Sequence, residues 1–233
     1  MVAPIIVALG GSLFYGDHDV KTWLGQLRQT IVHLEGNGRK LGFVVGGGKP
    51  AREGIQLASH VLTDRYKLDN IGIAATRLNA TVLQSMLSDI GCKVSQEIPT
   101  TTEVAAQMLN EFDIVVMGGT TPGHTTDAVS VALARDAGAA HVIIATNVSH
   151  VYTADPRTNP DAEPLEVLSL SELQEITGRE AMGPGQSAAV DPIAVNLAIE
   201  CGLKIGVLDG RDIRRIEDAV EGRPFEGTLV HPE

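Results

Sequence analysis

Short apolar runs alternate with longer amphipathic stretches along most of this 233-residue chain. Ala3–Leu9, Leu41–Val45, Asp113–Met117, His141–Ala145 and Lys204–Leu208 are apolar almost throughout, as strands covered on both faces must be, and predict buried strands. Between them the period changes. Over Asp19–Glu35, Trp23, Leu24, Leu27, Ile31 and Leu34 recur at helical spacing, and similar patterns predict helices over Asp69–Ile90, Thr126–Ala137, Asp191 to about Cys201, and Asp212 to about Val220. Pro50 suits an early helical position. Thr102 is placed to cap a helix over Glu103–Leu109, and Ser169 with Glu172 has the spacing of a capping box heading Ser171–Thr177. Short strands are predicted around Lys93–Val94 and at Thr228–Val230.

The texture shifts near Asn147. Asn147–Leu168 contains three prolines and reads as turns and a hairpin, and Gly183–Gly185 reads as a mobile loop. Strand, turn and helix in repetition predict an α/β fold, a mainly parallel central sheet between helical layers. No linker, repeat or low-complexity segment appears. The chain therefore reads as one domain over 1–233, with lobes of about 1–145 and about 146–233.

Three strands end in glycine-rich turns that open helices: Gly10-Gly11-Ser12, Gly46-Gly47-Gly48 before Lys49 and Arg52, and Gly118-Gly119 followed by Thr120 to Asp127. Glycine lets backbone approach a ligand closely, and the following helix offers free N–H groups and a positive dipole end. Three such turns suggest several phosphates held close together, which points to phosphoryl transfer.

Composition narrows the partners. Aromatic residues make up 3% of the chain, leaving the core to aliphatic side chains and alanine. Acids outnumber bases 29 to 18, the formal net charge is −11, and no Lys/Arg run occurs, so neither nucleic acid nor a membrane surface is an expected partner. No segment approaches the roughly 20 apolar residues of a membrane span, and no basic leader opens the chain. Cys92 and Cys201 match no metal-ligand spacing, which predicts buried free thiols in a reducing, cytoplasmic setting.

Together these motifs resemble the amino acid kinase superfamily, and within it the archaeal-type uridylate (UMP) kinases. The resemblance runs over essentially the full length. Besides the glycine turns it includes Asp69 before Ile71-Gly72, Thr76-Arg77-Leu78-Asn79-Ala80, Ala145-Thr146-Asn147-Val148 and Val151 to Pro156. It implies a three-layer α/β sandwich, transfer of the γ-phosphoryl of ATP to UMP with Mg²⁺ accompanying the ATP, and a homo-oligomer, a hexamer by the family pattern.

It also implies roles for residues. Gly11, Ser12, Gly48, Arg52, Thr146, Tyr152 and Asp155 would contact ATP. Gly47, Asp69, Thr120, Thr121, Pro122, Gly123, His124, Thr125 and Thr126 would hold UMP, with Asp69 on the ribose hydroxyls. Asp127 would organise the transfer, with Arg52 contributing charge; no protein metal site is expected. Several plainer readings stay open: Asp69 as a helix cap, Asp127 as a cap of the next helix, Tyr152 as core packing, and Arg77 and Asn79 as structural or intersubunit residues.

The chain departs from the family pattern in three places. Ala8 stands where many members carry a lysine, Asn196 stands where a lysine commonly follows Asp-Pro, and Ser149-His150 replaces Asp-Gly. The alternatives are another small-molecule kinase of the superfamily, such as one acting on isopentenyl phosphate, or, given Ala8 and Asn196, a nucleotide-binding regulator with weakened catalysis.

Overall fold

The computed structural model describes residues 3–156, 158–178 and 190–232. The aliphatic runs form β1 (Ile5–Leu9), β2 (Leu41–Val45), β3 (Ile114–Met117) and β4 (His141–Thr146), joined by β8 (Lys204–Asp209). Two short strands, β9 (Thr228–His231) and β7 (Val167–Ser169), complete a seven-stranded sheet in the order β3-β2-β1-β4-β8-β9-β7. The first five are mutually parallel; β9 runs antiparallel to β8, and β7 runs parallel to β9. β5 (Val151–Tyr152) and β6 (Pro164–Leu165) form the expected hairpin.

Helices cover both faces because the strands are apolar on both. α1 (Val20–Gly36) buries Trp23, Leu27, Ile31 and Leu34 with Val7, Leu9 and Phe43 on one face. It shares that face with α3 (Arg65–Asp89) and α8 (Ile213–Glu221). On the other face α4 (Thr102–Glu111), α5 (Thr126–Ala137), α6 (Leu170–Thr177) and α7 (Pro192–Cys201) pack over Ile6, Ala8, Val44 and Ile144. α2 (Gly48–Ser59) lies against α3. The predicted mainly parallel sheet between helical layers is thus the observed fold. Among the described residues no helix is long and apolar enough to cross a membrane.

Several local expectations change. α3 begins four residues before Asp69, with Asp64 as its cap, accepting from the Tyr66 N–H at 2.9 Å. The cap of α4 is Thr101; the Thr102 hydroxyl instead donates to Asp136 at 2.6 Å. Around Lys93–Val94 there is only a single bridge, Val94 to Ile114. The capping box holds: the Ser169 Oγ accepts from the Glu172 N–H at 3.1 Å, and Glu172 accepts from the Ser169 N–H at 2.7 Å. Both cysteines are free but only partly buried. Burial, and then Glu35, pushes the Cys92 thiol up to about 12, which keeps it protonated and unreactive. Gly183–Gly185 lies outside the described residues.

Candidate active site

Strand register decides where the three glycine turns stand. Leu9 pairs with Val45 and Ala145, and Val44 pairs with Met117. The residues that follow therefore leave the sheet in one row, at the carboxyl edge of four adjacent parallel strands. At roughly 4.8 Å per strand the row is about 14 Å wide. This is the edge at which open α/β sheets bind ligands.

The first two turns touch through their backbones. A Cβ on Gly11 would collide with the Gly48 backbone, and one on Gly46 would stand 2.5 Å from the Gly11 nitrogen. Gly48 has φ of +59°, a left-handed conformation that favours glycine. Gly47 caps α2, and Ser12 lies in a short 3₁₀ turn, Gly11–Leu13. The Gly10 N–H donates to the Ala145 carbonyl at 2.8 Å, tying this corner to the end of β4, where Thr146 accepts from the Gly210 N–H at 2.8 Å. Lys49 pairs with Glu53 on the exposed side of α2, at 3.6 Å, and Arg52 is exposed on the same helix.

The third turn is held from two sides. From α3, the half-buried Asp69 accepts from the Gly123 N–H at 2.8 Å. This settles Asp69 as a residue that reaches the third turn rather than a cap. On the α5 side, Thr125 is the N-cap, accepting from the Ala128 N–H at 3.3 Å, so the capping role that Asp127 could have filled belongs to Thr125. Thr120, Thr121 and His124 face a cleft of about 510 Å³ that continues between α4, α5 and α7. Pro122 is half-buried beside them and Thr126 opens α5.

Asp127 lies in the first turn of α5, next to a residue that sequence reasoning took only as a helix start. Asp191 caps α7, accepting from the Ile193 N–H at 3.2 Å, and is 1% exposed. Its other oxygen accepts from the Thr125 hydroxyl at 2.5 Å, and its own N–H donates to the Asp127 carboxylate. Two helix amino termini thus meet, each with an acid on it, as the dipoles favour. Burial, then the Asp191 charge, pushes the Asp127 carboxyl up to about 6, and the Asp191 N–H offsets part of that.

Ala8 and Asn196 bring no positive charge to this corner. Ala8 is 2% exposed in the apolar core, and Asn196 accepts from the Gln174 amide at 2.7 Å, a link between α6 and α7. On the far side, the Tyr152 and Ser149 hydroxyls hydrogen-bond at 2.8 Å, and His150 meets Tyr152 edge to face at 6.2 Å. Asp155 sits beyond them, exposed, its carbonyl accepting from the Thr158 and Asn159 N–H groups. Tyr152 is thus neither core packing nor isolated. Tyr152 and Asp155 belong to the hairpin region, outside the row of turns.

The fold and this row of glycine turns are those of an α/β protein whose sheet edge suits phosphate binding. The model of the amino acid kinase family matches residues 3–209, and the chain belongs to that family. It is 41% identical to a uridylate kinase of Methanococcus vannielii over 98% of this chain and 99% of that protein. To a uridylate kinase of Pyrococcus abyssi it is 36% identical over the same shares. The crystal structure of uridylate kinase from Archaeoglobus fulgidus superposes with a TM-score of 0.85 at 34% identity, covering 97% of this chain and 99% of that one.

Proposed function

We propose that this protein is a UMP kinase, transferring the γ-phosphoryl of MgATP to the phosphate of UMP to give UDP and MgADP, a step of pyrimidine nucleotide synthesis. One observation carries the reading: three glycine turns and Thr146 share a single sheet edge, where two phosphate chains can meet. The acceptor is taken from the relatives, whose names specify uridylate.

In this reading the lobe of about 1–145 binds UMP through Gly47, Asp69 and the segment 120–126. The lobe of about 146–233 binds ATP through Thr146, Tyr152 and Asp155, together with Gly11, Ser12, Gly48 and Arg52. An Asp69 carboxylate already fixed to the third turn can accept from ribose hydroxyls as well. The UMP phosphate is an anion, so no general base is required. Catalysis rests on alignment and on neutralising charge, supplied by the amino termini of α2 and α5 and by Arg52.

Among the described residues no cluster of three or more acids, histidines or cysteines could hold a metal. Mg²⁺ would accompany the ATP phosphates, and the hard oxygens of Asp127 would fit it as a protein donor. When bound it neutralises phosphate charge. Asp127, held by the Asp191 N–H, keeps a fixed oxygen at the transfer corner.

A coupled assay comparing UMP, CMP, AMP and isopentenyl phosphate tests the reading. Turnover with UMP at least about tenfold above the others is expected; none with UMP, or faster turnover with isopentenyl phosphate, overturns it. The apolar setting of Ala8 and the tied Asn196 favour a second reading, a regulator that binds both nucleotides without making UDP. Calorimetry showing tight binding without turnover would select it.

The same reading places the protein in the cytoplasm as a homo-oligomer, a hexamer by family pattern. Leu57 and Val61 at the end of α2, 74% and 84% exposed, and Leu78 and Val82 on α3 leave an apolar surface suited to a second copy of the chain. Leu78→Asp is expected to reduce the sedimenting mass; an unchanged mass would place the interface elsewhere.

A further inference from the structure

Little more than one turn of α3 holds the backbones of turns that belong to different strands. The Thr76 hydroxyl accepts from the Gly119 N–H at 2.7 Å, and the Arg77 Nε donates to the Gly119 carbonyl at 3.3 Å. Two residues further, Asn79 turns to the second glycine turn. Its amide nitrogen donates to the Gly46 carbonyl at 2.7 Å and to the Gly47 carbonyl at 3.1 Å. Its oxygen accepts from the Tyr15 hydroxyl at 2.7 Å.

Asn79 is fully buried, and both of its amide hydrogens and its oxygen are used. Tyr15 is different. It follows the 3₁₀ turn Gly11–Leu13, remains 41% exposed, and joins neither hydrophobic cluster. Its hydroxyl closes a chain of hydrogen bonds from just past the first turn, through Asn79, to the second. That chain spans the two turns assigned above to the phosphates of donor and acceptor.

We propose that Asn79 and Tyr15 are positioning residues for phosphoryl transfer: they fix the first glycine turn relative to the second and so set the approach of the two phosphates. The proposal rests on the UMP kinase reading. Neither side chain is assigned a contact with a nucleotide. The physical ground is that transfer depends steeply on alignment, a misplacement near 1 Å costing about 10²-fold, whereas binding of either nucleotide alone tolerates a small shift between turns. Tyr15→Phe removes one hydroxyl and leaves the Asn79 oxygen without its donor. The second turn keeps its Asn79 bonds and its backbone contact with the first, but the side-chain link from Tyr15 to Asn79 is lost.

The experiment is steady-state kinetics of Tyr15→Phe and Asn79→Ala with UMP and MgATP, beside wild type, with melting temperatures measured in parallel. For Tyr15→Phe, kcat is expected to fall about five- to twenty-fold, with both KM values within about twofold of wild type and the melting temperature nearly unchanged. Asn79→Ala is expected to lower kcat further. Wild-type kcat in Tyr15→Phe overturns the proposal, as does a loss confined to KM or matched by a loss of folded protein. If Asn79→Ala does not fold, Tyr15→Phe decides alone. Wild-type turnover of UMP separates the two questions: without it the function reading fails, while with it a silent Tyr15→Phe sinks only the positioning role.

Discussion

Asp127→Asn is expected to lower turnover of UMP by about 10³-fold or more, equivalent to about 4 kcal/mol of transition-state stabilisation, while raising the melting temperature at pH 8. The two effects share one cause. Burial and the Asp191 charge disfavour the Asp127 carboxylate and hold its carboxyl near 6, above the ordinary carboxylate value of about 3.9. Between those values the folded protein binds a proton that the unfolded chain lacks. The contribution of this one carboxyl to stability is therefore fully present below about 3.9 and is lost as pH rises through about 6. Asparagine has no such titration and retains an oxygen for the Asp191 N–H. The melting-temperature advantage of the variant should be largest above pH 7 and shrink below pH 6. Scanning calorimetry of both proteins from pH 5 to 8 measures it. A variant less stable than wild type at pH 8, with the gap unchanged by pH, would show Asp127 to be a structural acid.

Gly11→Ala should have a large effect on the fold. The new Cβ would collide with the Gly48 backbone rather than with the end of a flexible side chain. Overpacking against backbone costs about 3 kcal/mol, which for a chain of this size lowers the melting temperature by about 6–12 °C. Activity should fall with it, since the first two turns separate. Gly25→Ala is the control: it lies inside α1 with nothing within 4 Å of the added carbon. There the substitution should stabilise by about 0.5–1 kcal/mol. If Gly11→Ala melts like wild type, the two turns are not packed as described.

The sheet was legible because the five long parallel strands are apolar almost throughout, and both helical layers follow from that. Three errors had local causes. Arg65, Tyr66 and Lys67 form an exposed first turn of α3 without apolar periodicity, so the helix is apparent in the sequence only from Asp69 onward. Thr100, Thr101 and Thr102 are consecutive, and the choice of cap turns on Asp136, 34 residues from Thr102. β7 is three residues long and is defined only by its pairing with β9.

The candidate site was legible where a local motif carries it, as with the glycine turns, and only in part where distant chain segments meet. An Asp-Pro at a helix start signals a cap, and Asp191 is one. Nothing in that dipeptide says that its other oxygen meets Thr125, 66 residues earlier, or that its N–H serves Asp127. Asn79 is similar. A polar side chain amid the apolar pattern of α3 is the signal available in the sequence, and only the fold shows that Gly46, Gly47 and Tyr15 take up its amide.

A crystal structure with UMP and a non-hydrolysable ATP analogue bound together tests the central claim most directly. The account predicts both phosphate chains over Gly11, Gly47 and Gly48, the UMP phosphate against Thr120–Thr126, and its ribose on Asp69. Phosphates bound away from this edge, for instance in the cleft of about 520 Å³ beside Phe225 and His150, would contradict it.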